Sequence, residues 1–376
     1  MFVQMPYAFV PPPDINEPGL SAVIAEAPAL NGTSGDFSED KLLPNGLLKR
    51  RLSYCNYVWL DLWRMSRTAS LVKPRFNTTS TADCPIEWIT YTSTCNVGTR
   101  RLTQQLATHD IPLTVFGIGH RWRRQWGLRM RVLHDYLATI PAERLIIWSD
   151  ADDVMLMPGV DIDHIIAAFN TLVRQRAGPL VFLAAEKACF PRGDWSRNYT
   201  DPADVAPGGK GPSPFKYLNA GLMIGQAGHI AEMLRLAYMG DCIDDQLQLT
   251  TAFLRPILWW QDLRTGRFRY ALSTPPHSPG WEERNRARGI PAHARPLVGL
   301  DHWNDLLAAL YDVRMRDLVV QADRGRIVVR ATGGAPAIVH QNGDKLENSV
   351  LEQLAVVLGL PFDFSGVHNR QLELES

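Results

Sequence analysis

From Ile86 onward the chain alternates short apolar runs with segments whose apolar residues recur at helical spacing. Ile86 to Thr92 reads as a strand, Gly98 to His109 as a helix and Leu113 to Phe116 as a second strand. Leu128, Val132, Leu133, Tyr136 and Leu137 share one helical face, and the run Arg144 to Trp148 that follows has the character of a buried strand. The step repeats with an amphipathic helix through Ile162, Ile165, Ile166, Phe169, Leu172 and Val173, then a strand over Leu180 to Ala184. Pro207 to Pro214 is a Gly/Pro loop, Tyr217 to Ile224 predicts a strand, and Ile230 to Tyr238 and Asp245 to Leu254 predict helices. Such alternation predicts an α/β domain with a mostly parallel central sheet and crossover helices. Beyond Pro256 the pattern weakens. Phe268 to Leu272, Arg326 to Arg330 and Ala337 to His340 remain strand candidates, and Arg264 to Pro296 is rich in Arg and Pro.

The two ends read differently. Pro6, Pro11, Pro12 and Pro13, a Gly/Ser/Asp-rich stretch at 31–40, Lys49-Arg50-Arg51 and the aromatic patch from Tyr54 to Trp63 predict a partly disordered extension over 1–85, in which Leu60 to Met65 can form a short helix. The main domain is expected over 86–346. A C-terminal helix and tail take up 347–376, with no pattern from Phe362 to Ser376.

Composition narrows the function classes. With 376 residues and 45% hydrophobic positions the chain can bury a large core. Lys plus Arg and Asp plus Glu are both 39, so no global field favours nucleic acid, and a charged ligand must be held by local groups. The longest apolar stretches, such as Leu145 to Trp148 and Leu180 to Ala185, fall short of the ~20 residues that span a bilayer, so no transmembrane segment is expected. Met1 to Leu20 holds no Lys or Arg and is broken by prolines, unlike a secretory leader, which makes the cytoplasm the default location. Cys55, Cys84, Cys95, Cys189 and Cys242 form no C-x-x-C pair, and reduced thiols are the expectation.

The chemistry concentrates where the strand Arg144 to Trp148 ends, in Ser149-Asp150-Ala151-Asp152-Asp153. Ligands of open α/β sheets bind at the carboxyl ends of strands. Three carboxylates within four residues repel one another unless a cation or basic groups offset them, and Mg²⁺ or Mn²⁺ shared with a diphosphate is one solution. A solvated acidic loop that caps a following helix is the other. Asp244 and Asp245 open a helix, where they serve as N-cap and first residue or hold the hydroxyls of a sugar. His340 ends an apolar strand and matters if it closes on Asp150 and Asp153; otherwise it is a satisfied or surface histidine. Arg129 and Arg131 can reach a diphosphate or be ordinary solvated helix charge. No Gly-x-Gly-x-x-Gly with its acidic partner, no Walker loop and no Gly-x-Ser-x-Gly elbow is present, which weakens dinucleotide, triphosphatase and serine-hydrolase readings.

Several strings, in order, resemble the glycosyltransferase domain of the collagen lysyl hydroxylases, the PLOD-type hydroxylysine glucosyl/galactosyltransferases. They are Ile89-Thr-Tyr-Thr92, Gly117-Ile-Gly119-His-Arg-Trp122, Arg129-Met-Arg131, the Asp-x-x-Asp of Asp150 and Asp153, Ala185-Glu186 through Cys189-Phe-Pro191, and Tyr217-Leu-Asn-Ala-Gly221-Leu-Met-Ile-Gly225. Asp244-Asp245-Gln246, Leu300-Asp301-His302 and His340-Gln-Asn342-Gly343 continue the series. The resemblance covers about 86–346 and implies a GT-A-type, Rossmann-like nucleotide-sugar domain, with no oxygenase domain after it. It implies Mn²⁺ (or Mg²⁺) on Asp150, Asp153 and His340, with Trp122 near the uridine and Arg129 and Lys345 at the diphosphate. It further puts Asp152, Asn342 and Gly343 on the nucleotide side, and Asp244, Asp245 and Glu186 on the sugar and acceptor side. Three departures stand out: Asp152 replaces an aromatic residue, Arg129 replaces a Lys, and Lys345 lies one position nearer the His. The implied reaction moves glucose or galactose from a UDP-sugar to an acceptor hydroxyl, such as hydroxylysine or galactosyl-hydroxylysine of a collagen-like protein. A non-catalytic module of the same fold and a metal-dependent phosphohydrolase are the competing readings.

Overall fold

The computed structural model describes residues 76–77, 85–93, 97–118, 120, 125–176, 178–207, 210–276, 278–343 and 349–360. All of these residues belong to one compact unit within 70–376. The expected helix Leu60 to Met65, most of the expected extension and the tail from 361 lie outside the described residues, as do Trp122 and Lys345.

The elements follow in order as β1 (Phe76–Asn77), β2 (Ile86–Tyr91), α1 (Val97–Thr108), β3 (Leu113–Phe116), α2 (Trp126–Leu137), β4 (Leu145–Ser149), β5 (Val154–Leu156), α3 (Ile162–Gln175), β6 (Val181–Glu186) and β7 (Tyr217–Gln226). Then come α4 (Ala227–Ala237), α5 (Asp245–Leu254), β8 (Ile257–Gln261), β9 (Phe268–Leu272), α6 (Trp281–Ala287), β10 (Arg295–Pro296), β11 (Val298–Asp301), β12 (Leu307–Ala309), β13 (Leu318–Gln321), β14 (Arg326–Val329), β15 (Ile338–His340) and α7 (Val350–Val357).

The main sheet runs β1-β3-β2-β4-β7-β6-β11. β2, β3, β4, β6 and β11 point the same way, as the periodicity predicts, but β7 lies antiparallel between β4 and β6, and β1 is antiparallel at the edge. The reversal of β7 has a simple cause. The chain leaves β6 without a crossover helix, passes through two 3₁₀ turns at Gly193–Asn198 and Pro202–Val205, and re-enters the sheet from the end it left. Every residue of β2, β3, β4 and β6 is buried; β4 and β6 accordingly read as nearly continuous apolar runs, while β2 and β3 also carry the buried polar residues Glu87, Thr90 and Thr114.

A second, three-stranded sheet, β12-β15-β5, closes the carboxyl end of the first. β15 is antiparallel to β5, with His340 opposite Val154. β5 and β12, three residues each, are not among the strands expected from the sequence, whereas the equally short β15 is. β5 also bears on one alternative: the acidic stretch leads into a strand, and the helix that follows, α3, is capped by Asp161, whose Oδ1 accepts the His164 N–H at 2.7 Å.

Candidate active site

Four chain segments meet at one corner of the main sheet. Asp150 follows the last residue of β4 and its N–H donates to the carbonyl of Gly221 in β7 at 2.8 Å. Asp153 precedes β5, and its carbonyl accepts the Gln341 N–H at 2.8 Å, so that the β5–β15 pairing carries His340 alongside. The backbone of the acidic loop is held from behind by the buried Arg101 of α1, which donates to the carbonyls of Asp152 at 2.9 Å and Val154 at 3.1 Å. Arg101 is a positioning residue that the sequence did not reveal, because nothing in a helical Arg announces a backbone partner about fifty residues away.

Ligand atoms of Asp150, Asp153 and His340 lie within 4.8 Å of one another. His340 is buried, and its Nδ1 pairs with Asn219 Oδ1 at 2.9 Å. Its Nε2 faces Asp150 Oδ2 at 3.3 Å and Asp153 Oδ2 at 3.5 Å, close enough for charge attraction but not aligned, so that among the described residues Nε2 has no hydrogen-bond partner. Burial disfavours charge on the ring, yet Asp153 and Asp150 outweigh it and push the His340 pKa up to about 10. Burial likewise opposes the Asp150 carboxylate, and the Arg129 guanidinium with His340 holds it well below the usual range. The corner therefore demands positive charge at Nε2, from a proton or from a cation. A donor set of two carboxylates and one imidazole suits a divalent ion such as Mn²⁺, and the residues present fit it. Gly221 makes the room: a Cβ there would sit 2.2 Å from His340 Cε1 and 2.7 Å from Asp150 Oδ2.

Arg129 is no solvated helix charge. It is 7% exposed and bridges Asp150 and Asp245 through short ion pairs. Burial disfavours its charge, but the two carboxylates hold it above its ordinary pKa. Its neighbour Arg131 makes a two-pronged pair with Asp241, both contacts at 3.0 Å. At the start of α5 the capping alternative holds for Asp244, whose Oδ1 accepts the Leu247 N–H at 2.8 Å. Asp245 is buried, and its pKa rises to about 6 because burial outweighs Arg129.

Glu186, at the end of β6, is 2% exposed and accepts from the side-chain amides of Gln246 at 2.7 Å, Asn219 at 3.2 Å and Asn342. Burial pushes its pKa up to about 7 against those donors. A carboxylate so enclosed orients its neighbours. Gln246 and Asn219 belong with the site residues; the sequence showed them only inside longer strings, with no role of their own.

A cleft of about 380 Å³ opens on this corner, lined by Tyr91, Trp126, Arg129, Asp150, Asp152, Asp153, His340, Asn342 and Gly343 among others. Asn342 also accepts the Tyr311 N–H at 3.1 Å, and Gly343, at φ 89°, packs so that a Cβ would lie 2.6 Å from the Tyr311 ring. The Leu300-Asp301-His302 string is elsewhere and structural: Asp301 accepts three backbone N–H groups, and His302 Nδ1 pairs with the Phe215 carbonyl at 2.8 Å.

Cys242 is disulfide-bonded, contrary to the expectation of reduced thiols, which cysteine spacing alone could not test; Cys189 is free. No helix among the described residues is long and apolar enough to cross a membrane.

An α/β sheet with an acidic, histidine-closed corner at its strand ends offers a ligand site there, and the sequence comparison points to a glycosyltransferase. Residues 84–259 match the family described as PLOD GT domain, in line with the resemblance read from the sequence, and the α/β class with a mostly parallel central sheet holds. Over 169 residues the chain is 25% identical to the "Multifunctional procollagen lysine hydroxylase and glycosyltransferase" of Caenorhabditis elegans, a match covering 42% of this chain and 21% of that protein. Among solved structures it is similar, with a TM-score of 0.31 and 11% identity over 69% of this chain and 96% of the other, to a glycosyltransferase involved in the glycosylation of the major capsid of PBCV-1, a likeness too distant to inform the site.

Proposed function

We propose that the cleft binds UDP-glucose or UDP-galactose through a divalent cation and transfers the hexose to a hydroxyl of a protein or glycan acceptor. The observation that carries this reading is the gathering of Asp150, Asp153 and the unpartnered His340 Nε2 within 4.8 Å at the strand ends of a glycosyltransferase domain. Bound Mn²⁺ or Mg²⁺ supplies a Lewis acid that offsets the negative charge developing on the leaving diphosphate. Asp150 and Asp153 offer it oxygens and His340 a nitrogen. Arg129 keeps Asp150 and Asp245 in register by pairing with both. We assign the handling of a sugar or acceptor hydroxyl to Asp244, which is half-buried and has one oxygen on Leu247 N–H; Glu186 is too enclosed to act as a base.

The acceptor class follows from the relative named for procollagen, and hydroxylysine or galactosyl-hydroxylysine in a collagen-like chain is its natural form. The test is a panel of UDP-sugars with Mn²⁺, scored by UDP release with and without hydroxylysine peptides. Turnover of one UDP-hexose, lost in Asp153→Ala, supports the reading. Hydrolysis of simple phosphate esters with no preference for UDP, or full turnover in Asp153→Ala, sinks it.

A further inference from the structure

We infer that Asn219 and Glu186 are positioning residues that lock His340 into the one tautomer able to present Nε2 to a cation, an inference that rests on the cation reading above. Hydrogen-bond polarity fixes the tautomer. A backbone N–H can only donate, so the 3.0 Å contact from Gly221 N identifies the Asn219 atom it meets as the oxygen. That same oxygen lies 2.9 Å from His340 Nδ1, and an acceptor pairs only with an N–H. Nδ1 therefore carries the hydrogen, and in the neutral ring the lone pair is on Nε2, toward Asp150 and Asp153.

The other end of Asn219 is fixed by Glu186. With its oxygen committed, Asn219 offers Nδ2 to Glu186 Oε2 at 3.2 Å, and Asn342 Nδ2 donates to the same oxygen. Gln246 is oriented in the same way. Its Oε1 accepts the Ala220 N–H at 3.3 Å, so its Nε2 donates to Glu186 Oε1 at 2.7 Å and to the Leu218 carbonyl at 2.9 Å. Three amides thus aim donors at Glu186, and only an acceptor on both prongs satisfies them. The register break between β6 and β7 makes this possible. β7 advances five residues from Leu218 to Met223 while β6 advances two from Leu183 to Ala185, and the surplus frees Asn219 to reach both Glu186 and His340.

Glu186→Gln is nearly isosteric but replaces one acceptor prong with a donor. Either Gln246 loses Ala220, or Asn219 turns over, loses Gly221 and faces His340 Nδ1 with an N–H. The second outcome moves the ring hydrogen to Nε2, where it occupies the cation's place.

The test measures Mn²⁺ affinity by calorimetry on the full chain and, with diamagnetic ¹¹³Cd²⁺, the coupling of the metal to each ¹⁵N of the His340 ring. Glu186→Gln is expected to weaken Mn²⁺ binding ~10–100-fold and to abolish the Nε2 coupling, with secondary structure retained by circular dichroism. Asn219→Ser, which keeps an acceptor but loses the link to Glu186, should give a smaller loss. Unchanged Mn²⁺ affinity and Nε2 coupling in both variants, with binding lost in His340→Gln, would overturn the relay and leave the cation reading intact. Unchanged Mn²⁺ affinity in His340→Gln would remove the cation reading, and the relay with it.

Discussion

Two buried Asp–His neighbourhoods stand in this domain, and they are built for opposite ends. At Asp301 and His302 every demand is met from the protein itself: Asp301 takes the N–H groups of Asp305, Leu306 and Leu307 at 2.7–3.0 Å, and His302 rests on the Phe215 carbonyl. Burial pushes the His302 pKa down to about 4, so the ring stays neutral. At Asp150, Asp153 and His340 the demand exceeds the supply. Arg129 is shared between Asp150 and Asp245, and His340 faces two carboxylates at once, with its pKa pushed up to about 10. The same residue types therefore give a turn staple in one place and, in the reading proposed above, a cation seat in the other. What separates them is whether backbone N–H groups already answer the negative charge.

Four experiments test that contrast. The largest effect is expected from Asp150→Ala or Asp153→Ala, which should lower UDP-sugar turnover by ~10³-fold or more, about 4 kcal/mol of transition-state stabilisation. Steady-state UDP release measures it, and full activity in either variant would erase the distinction. Arg129→Met comes next. It strands Asp245 as a buried carboxylate without a cation, leaves the partly exposed Asp150 with His340 alone, and should destabilise the metal-free protein by about 3 kcal/mol in urea. Added Mn²⁺ should recover part of that loss, whereas no recovery would show that the corner does not use a cation.

Asp301→Asn should cost about 2 kcal/mol of stability by weakening three bonds to a charged acceptor, while leaving Mn²⁺ affinity at the wild-type value. A drop in affinity would mean that the two neighbourhoods are not separate. The smallest effect concerns pH. Because the folded pKa of His302 lies below its ordinary 6.5, the unfolded chain takes up a proton first as pH falls. Stability should decline between about pH 6.5 and 4, by about 2 kcal/mol at pH 5. In His302→Gln that decline should be shallower in thermal melts at pH 7 and pH 5; equal slopes would show that the ring is not held neutral.

How much of this was legible in the chain varies with length scale. β4 and β6 announce themselves because full burial demands nearly unbroken apolar runs, and β2 and β7 remain readable although Glu87 and Asn219 interrupt them. β5 and β12 go unread because three residues carry no period, whereas the equally short β15 is read from the apolar run Ala337 to Val339 set against the Gln341-Asn342-Gly343 turn. The reversed direction of β7 is also invisible, since a buried strand has the same apolar character whichever way it runs. For Asp244 the capping pattern was readable and correct, because an N-cap is a local contact. Arg129 could be read as a phosphate contact or a surface charge. Its partners Asp150 and Asp245 lie 21 and 116 residues away, and neither pairing follows a local rule.

By itself the amino-acid sequence determined the α/β class, the strand end at which Asp150 and Asp153 sit, and the ordered strings that make residues 84–259 a glycosyltransferase domain. These are consequences of local pattern and of chain order. Only the tertiary structure decided that His340, which lies outside that matched segment, completes the acidic corner across the β5–β15 pairing. It alone shows that Arg129 is a buried bridge, that Glu186 is an enclosed acceptor of three side-chain amides, and that Asp301 holds three backbone N–H groups. The physical reason is that the role of a charged group depends on which partners already satisfy it, and those partners are fixed by packing between segments far apart in the chain.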